Sequence, residues 1–325
     1  MRKSVRTYGI LFMAVASLMW VGVPEAQDYP KSPVQIIIPF GPGGLTDILW
    51  RSVSEFVGSN INGKIALVNK PGGGGVVGTA FGVNSKPDGY TLVSANSDPL
   101  TISPVFTANV PYSPEKDFTY IAKLAAFAQT ISVRSDSPFK TLEELVAFAK
   151  ANPRKLKSAV MGVGSTPHTI LGVFNQEAKV EITFVPFDSG GETVTNLVGG
   201  HTDMAVVSVS AIRSQIQAGK ARILAVCSPK RIPGFPDLPT VAEKGYKKSS
   251  IATGVGLAGP KGLAPAIVSK WEEAIDKTLK DPKIIGIIEK LGGAVVDFKD
   301  GEGYKKELLA DFEMFKQVLP TLPKK

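Results

Sequence analysis

The sequence predicts an α/β fold in two lobes, on three observations. A unit of buried strand, small-residue loop and helix start recurs in at least five places. The 299 residues that follow an apolar leader exceed one ordinary core and suffice for two. The chain carries neither a low-complexity tract nor a repeat of solenoid period.

The first unit organises the rest. Residues 36–47 read IIIPFGPGGLTD, three β-branched residues for a buried strand, then Pro39, then Gly41, Gly43 and Gly44 before a helix that starts near Thr46 or Asp47. A helix start leaves backbone N–H groups unpaired at the positive end of the macrodipole, so it suits an anion. Glycine lets a ligand approach those amides without a Cβ in the way. The same residues also fit a plain βα turn with Thr46 or Asp47 as N-cap.

Helical spacing continues over 48–57. Residues 64–69, KIALVN, make a second strand into a second glycine loop, KPGGGGVVG over 70–78, and a second helix start. A turn at Pro87-Asp88-Gly89 precedes a third strand over 90–95, which ends in Asn96, Ser97 and Asp98. Small polar side chains at the carboxyl end of a strand stand where open α/β sheets place ligands. The apolar run over 118–133 fits one long strand crossing between lobes. Residues 141–151 form a helix with a Thr141/Glu144 capping box and Pro153 beyond its end.

The opening logic then repeats. A strand over 156–161 runs into Gly162, Gly164, Ser165, Thr166 and His168; one over 181–186 runs into Ser189, Gly190 and Gly191; one over 203–209 runs into a helix ending at Gly219. Strands over 222–227 and 250–259 flank a proline-rich connection at 229–239, and helices over 265–280, 282–291 and 303–319 close the chain.

Arg2, Lys3 and Arg6, an apolar run over 8–23 and the Pro24-Glu25-Ala26 region read as a secretory signal peptide cut near Ala26. The run is short for a retained membrane anchor. Cleavage lowers the formal net charge from +8 to +6. That balance attracts small anions; the Lys and Arg are too scattered for a nucleic-acid surface. The single cysteine, Cys227, rules out an internal disulfide and reads as a small buried hydrophobe on a strand.

Catalytic patterns are missing. No G-K-[ST] follows the glycines, no G-x-S-x-G surrounds a serine, and with only His168 and His201 there is no H-E-x-x-H or C-x-x-C, so no metal or cofactor is expected. Ser165 and His168, three residues apart, have poor spacing for a nucleophile and its base. Gly73, Gly75 and Gly78 satisfy G-x-G-x-x-G with Asp98 downstream, which keeps a secreted dinucleotide-dependent oxidoreductase as an alternative. Pro71 in the strand-to-turn junction and the exported location weigh against it. Binding fits better, because several loops rich in Gly, Ser and Thr converging on a cleft hold a carboxylate with neutral donors.

The ordered set of motifs resembles a known family. Tyr29-Pro30, PFGPGGLTD at 39–47, NKPGGGGVVG at 69–78, PDGYTL at 87–92, PYSPEKDF at 111–118, GGHTDMA at 199–205, QAGKARILAV at 217–226 and FPDLPTVAEKGY at 235–246 look like the substrate-binding receptors of tripartite tricarboxylate transporters, the TctC-like Bug proteins. The resemblance implies a two-lobe periplasmic binding fold, type II-like, each lobe a mixed sheet flanked by helices. It implies a first lobe of residues 27–127 plus 241–325 and a second of 128–240. By position it puts Phe40, Gly43, Gly44, Thr46, Asp47, Asn96 and Ser97 at the cleft, facing Gly164, Ser165, Thr166 and His168, with Ser189, Gly190 and Gly191 beside them. The implied partners are a small organic carboxylate and the membrane subunits of the transporter, with the receptor acting as a monomer. The run FDSGGE is similar to the tricarboxylate branch, so a di- or tricarboxylate is expected. Asp98 departs from the family pattern. A sensor role handing ligand occupancy to a signalling partner is a further alternative.

Overall fold

Residues 29–106, 109–162, 164–187 and 189–321 are described by a computed structural model. The expected signal peptide lies outside them. Strand β1 (Val34–Ile38) exposes Gln35 near its start and is buried on both faces over Ile36, Ile37 and Ile38, as that apolar run requires. It pairs in parallel with β2 (Ile65–Asn69) and β3 (Thr91–Asn96), while α1 (Leu45–Ile61) and α2 (Val76–Val83) make the crossovers. A π turn over Asp98–Ile102 and α3 (Ser103–Phe106), which the sequence did not signal, follow β3.

The hub of the molecule is β4 (Phe118–Arg134), the long crossing strand expected from its composition. Its first part, up to Ala128, pairs antiparallel with β9 (Ala252–Pro260) and with β10 (Ala294–Asp300). From Gln129 onward it pairs instead with β7 (Met204–Ser208) and β8 (Ala221–Cys227). Strands β5 (Lys157–Met161) and β6 (Thr183–Phe187) extend that second sheet in parallel with β7. Each lobe is therefore a mixed sheet in which three parallel strands meet antiparallel partners, and β4 belongs to both.

Helices cover both faces of each sheet. In the first lobe α1 and α8 (Pro265–Leu279) bury Trp50, Val53, Trp271 and Ile275 on one face, joined by Ile284 of α9 (Pro282–Lys290). In the second, α4 (Leu142–Ala151) with its Thr141/Glu144 capping box and α5 (Thr166–Ala178) pack on one face, and α6 (Gly190–Val198) and α7 (Val209–Gln217) on the other. Helix α10 (Gly301–Val318) spans the two: Tyr304 and Leu308 join a first-lobe cluster, and Phe315 a second-lobe one. Val241, Tyr246 and Ile251, from the segment the resemblance assigns to the first lobe, also pack in that second-lobe cluster.

Strand β10 is a second element absent from the sequence reading. Its Asp297 and Lys299 break the apolar pattern, and tertiary partners neutralise both: Lys123 of β4 bonds Asp297 and Glu307, and Lys299 bonds Glu307.

Candidate functional site

The ladder registers bring two sets of loops to one place. Asn96, the last residue of β3, is level with Val255, which is level with Ala125, three residues before the point where β4 changes sheets. Ser208, the last residue of β7, is level with Gln129 just past that point. The carboxyl edges of β1, β2 and β3 therefore meet those of β5, β6 and β7 across the crossing of β4, the position at which parallel sheets leave room for a ligand.

On the first-lobe side, a buried chain of hydrogen bonds fixes the α1 start. Trp50 Nε1 donates to Ser94 Oγ (2.9 Å), which donates to Asn96 Oδ1 (2.8 Å), and Asn96 Nδ2 donates to Thr46 Oγ1 (2.8 Å). Thr46 and Asn96, both expected at the cleft, are thus held together. The expected N-cap is corrected: Gly44 caps α1 without a side-chain bond, and Asp47 lies in the first turn.

Asp47 turns its carboxylate inward, onto three donors. Oδ2 accepts from Gly43 N–H (2.9 Å) and Arg51 Nε (2.9 Å), and Oδ1 accepts from Asn69 Nδ2 (2.9 Å), which also holds the Phe40 carbonyl (3.0 Å). The Arg51 guanidinium, with the Gly43 and Asn69 donors, holds the Asp47 carboxyl down at about 2 against its ordinary 3.8. The left-handed φ of 76° at Gly43 turns its N–H back onto this carboxylate. Asp47 therefore shapes the loop, and the N–H groups of Leu45, Thr46 and Asp47 remain with no partner among the described residues. The Phe40 ring packs on Gly75, where a Cβ would stand 3.1 Å from it. At Gly78 a Cβ would stand 2.5 Å from the Lys70 carbonyl. Close packing accounts for two glycines of the G-x-G-x-x-G pattern.

On the second-lobe side, Ser165 caps α5 by accepting from His168 N–H (3.3 Å), and its hydroxyl donates to the Gly162 carbonyl (2.9 Å). His168 is buried, its Nδ1 accepts from Gly164 N–H (3.3 Å), and its ring lies 4.7 Å from Phe184 and 6.0 Å from Phe106 of the first lobe. Ser165 and His168 thus meet through the His168 main chain, not through the imidazole. Ser189 caps α6 by accepting from Glu192 N–H (3.1 Å), and Gly190 faces Ala211 of α7. The N–H groups of Gly190 and Gly191 have no partner among the described residues.

Ser97 bonds β9 of its own lobe, accepting from Gly254 N–H at 2.8 Å. Asp98 reaches across: its Oδ1 accepts from Thr166 Oγ1 (2.5 Å), and the Thr166 main-chain N–H donates to the same carboxylate. Thr166 Oγ1 also lies 3.4 Å from Thr253 Oγ1 of β9. Asn69, Asp98 and Thr253 were not among the expected site residues; the signals at hand were the position of Asn69 at a parallel strand's carboxyl end and the unusual acid after Ser97. A separate cavity of about 370 Å³, lined by Ser135, Arg222, Phe235 and Leu238 beside β8, is away from both edges. No group of three or more metal-ligating side chains occurs among the described residues.

Two lobes joined by a shared strand, with the carboxyl ends of their parallel strands turned toward one junction, are the architecture of a solute-binding protein. The family model described as "Tripartite tricarboxylate transporter family receptor" matches residues 49–311. The chain belongs to that family of receptors. It is 28% identical to Protein BugT of Bordetella pertussis over 88% of this chain and 87% of the relative. Among solved structures it is similar to a TctC solute-binding protein from Polaromonas (30% identity, TM-score 0.80, 91% of this chain and 100% of that one). It is also similar to MatC of Rhodopseudomonas palustris with bound malate (25%, 0.74, 90% and 100%) and to an R. palustris protein with adipate (25%, 0.77, 90% and 98%). No helix among the described residues is long and apolar enough to cross a membrane.

Proposed function

We propose that the protein is an exported receptor that captures an organic di- or tricarboxylate between its lobes and delivers it, as a monomer, to the membrane subunits of a tripartite tricarboxylate-type transporter in the periplasmic space. Capture is the whole task; no bond in the ligand changes. The observation that supports this reading is that the starts of α1 and α6 follow strands whose carboxyl ends turn toward the lobe junction, with their N–H groups unpartnered among the described residues. Such amides hold an acid group without the desolvation penalty of a buried cation. Malate and adipate in two related structures support an acid ligand. The expected cleft residues Phe40, Gly43, Gly44, Thr46, Asp47, Asn96 and Ser97, and Gly164, Ser165, Thr166, His168, Ser189, Gly190 and Gly191 opposite, belong to this reading in two roles. The α1 and α6 starts contact the acid, while Asp47, Ser97, Ser165 and His168 hold the loops in shape.

Thermal unfolding in the presence of citrate, malate, succinate and adipate tests it. A ligand at a hundred times its dissociation constant adds about 2.7 kcal/mol. A panel of di- and tricarboxylates that leaves the melting temperature unmoved overturns the proposal.

A further inference from the structure

Asp98 is a carboxylate at the lobe junction with no ion-pair partner among the described residues, although the chain carries a surplus of Lys and Arg. Among the described residues the donors that reach it come from Thr166, one hydroxyl and one main-chain N–H. A carboxylate has about four lone-pair positions, so acceptor capacity remains. A second unused acceptor belongs to β4. Gln129 is 6% exposed, and its Oε1 is buried with no partner among the described residues. It stands on β4 two residues past Phe127, whose ladder partner Thr253 lies 3.4 Å from Thr166 Oγ1. The start of α5, by contrast, has little left to give: Thr166 N–H serves Asp98, Pro167 has no N–H, and His168 N–H serves Ser165. The junction thus offers donors at the α1 and α6 starts, and acceptors at Asp98 and Gln129.

We propose that Asp98, assisted by Gln129 Oε1, is a specificity residue that selects organic acids bearing a hydroxyl or ammonium substituent over the same acids without one. This rests on the carboxylate-receptor reading and sharpens its ligand class. An unpaired carboxylate repels a second acid group and is complemented by a donor, most strongly by a cationic one. A capping role for Asp98 at α5 accounts for the two bonds to Thr166 but leaves the Gln129 acceptor and the missing cation without a purpose.

The experiment is isothermal titration calorimetry of the full chain with two matched series, succinate, malate and aspartate, and adipate, 2-hydroxyadipate and 2-aminoadipate. Within a series the carbon skeleton is fixed and only one substituent changes. At least one substituted acid is expected to bind about tenfold more tightly than its parent, the size of one hydrogen bond to a charged group. Asp98→Asn is expected to bring that ratio to within about threefold of one, and Gln129→Leu to lower it without touching the α5 start, which keeps the test decisive should the Asp98 variant fold poorly. Aspartate outranking malate assigns the donor as ammonium; malate alone outranking succinate assigns it as hydroxyl. A parent acid that binds as well as its substituted forms overturns the inference while leaving the receptor reading standing, as does a ratio that survives both variants. If no member of either series, nor citrate, binds, the receptor reading fails and this inference with it.

Discussion

Asp47 and Asp98 both follow first-lobe strands at the lobe junction, and their surroundings differ by one cation. Asp47 lies against Arg51, with Gly43 and Asn69 completing its shell. Among the described residues Asp98 has hydroxyl and N–H donors only, and burial pushes its carboxyl above the ordinary value of 3.8. The first carboxylate is bound to its own lobe; the second is held across the gap. A paired buried carboxylate builds a loop, whereas an unpaired one at a junction stays available to a ligand.

The pH dependences of the two are opposite in sign. The folded value of Asp47, about 2, lies below 3.8, so its contribution to stability is complete above about pH 4 and is lost as the pH falls toward 2. For Asp98 the folded value is raised, so its contribution is present below 3.8 and is lost as the pH rises through the raised value.

The contrast breaks most sharply at Asp47. Replacing Asp47 with Ala leaves the Gly43, Asn69 and Arg51 donors unmatched and should cost about 2–4 kcal/mol in urea unfolding at pH 7. A cost near zero would mean that the carboxylate does not hold the loop. Next comes Gly43→Ala, which forces a Cβ onto a φ of 76° in open space; the strain predicts a loss of about 1–2 kcal/mol by the same measurement. Ser165→Ala removes the α5 cap and should cost about 1 kcal/mol, with faster amide exchange confined to the first turn of α5. Arg51 is half exposed, so Arg51→Gln should cost less than about 1 kcal/mol, yet it should move the acid-unfolding midpoint to higher pH by releasing the Asp47 carboxyl. The smallest effect is expected from Asp98→Asn, which keeps an acceptor for Thr166 and removes a desolvated charge. Its melting temperature at pH 7 should be equal to or above that of the parent, with any difference shrinking on acidification. A marked drop would assign Asp98 to capping alone.

Much of this was legible along the chain, and the exceptions share a cause. The crossing strand showed in sixteen residues of apolar extended character, and the capping box of α4 in two residues three apart. Asp47 was misread as an N-cap, and its place in the loop was hidden because the residue that completes its shell, Asn69, lies 22 positions on. Strand β10 was hidden because Asp297 and Lys299 look like surface charges until Lys123 and Glu307 are placed beside them.

What the sequence determined unaided is whatever depends on neighbours within a turn or a strand: the alternation of strand, small-residue loop and helix, the glycines at positive φ, the caps, and through the ordered motifs the receptor family. What only the tertiary structure decided is which polar groups are already spent. Gly43 N–H is consumed by Asp47, Ser97 by β9 and the α5 start by Asp98, while the first amides of α1 and α6 are left over among the described residues. The physical reason is that a buried hydrogen bond or charge depends on a partner brought within about 3 Å by the fold, and those partners come from 50 to 157 residues away for Thr46 with Asn96, Asp98 with Thr166 and Ser97 with Gly254.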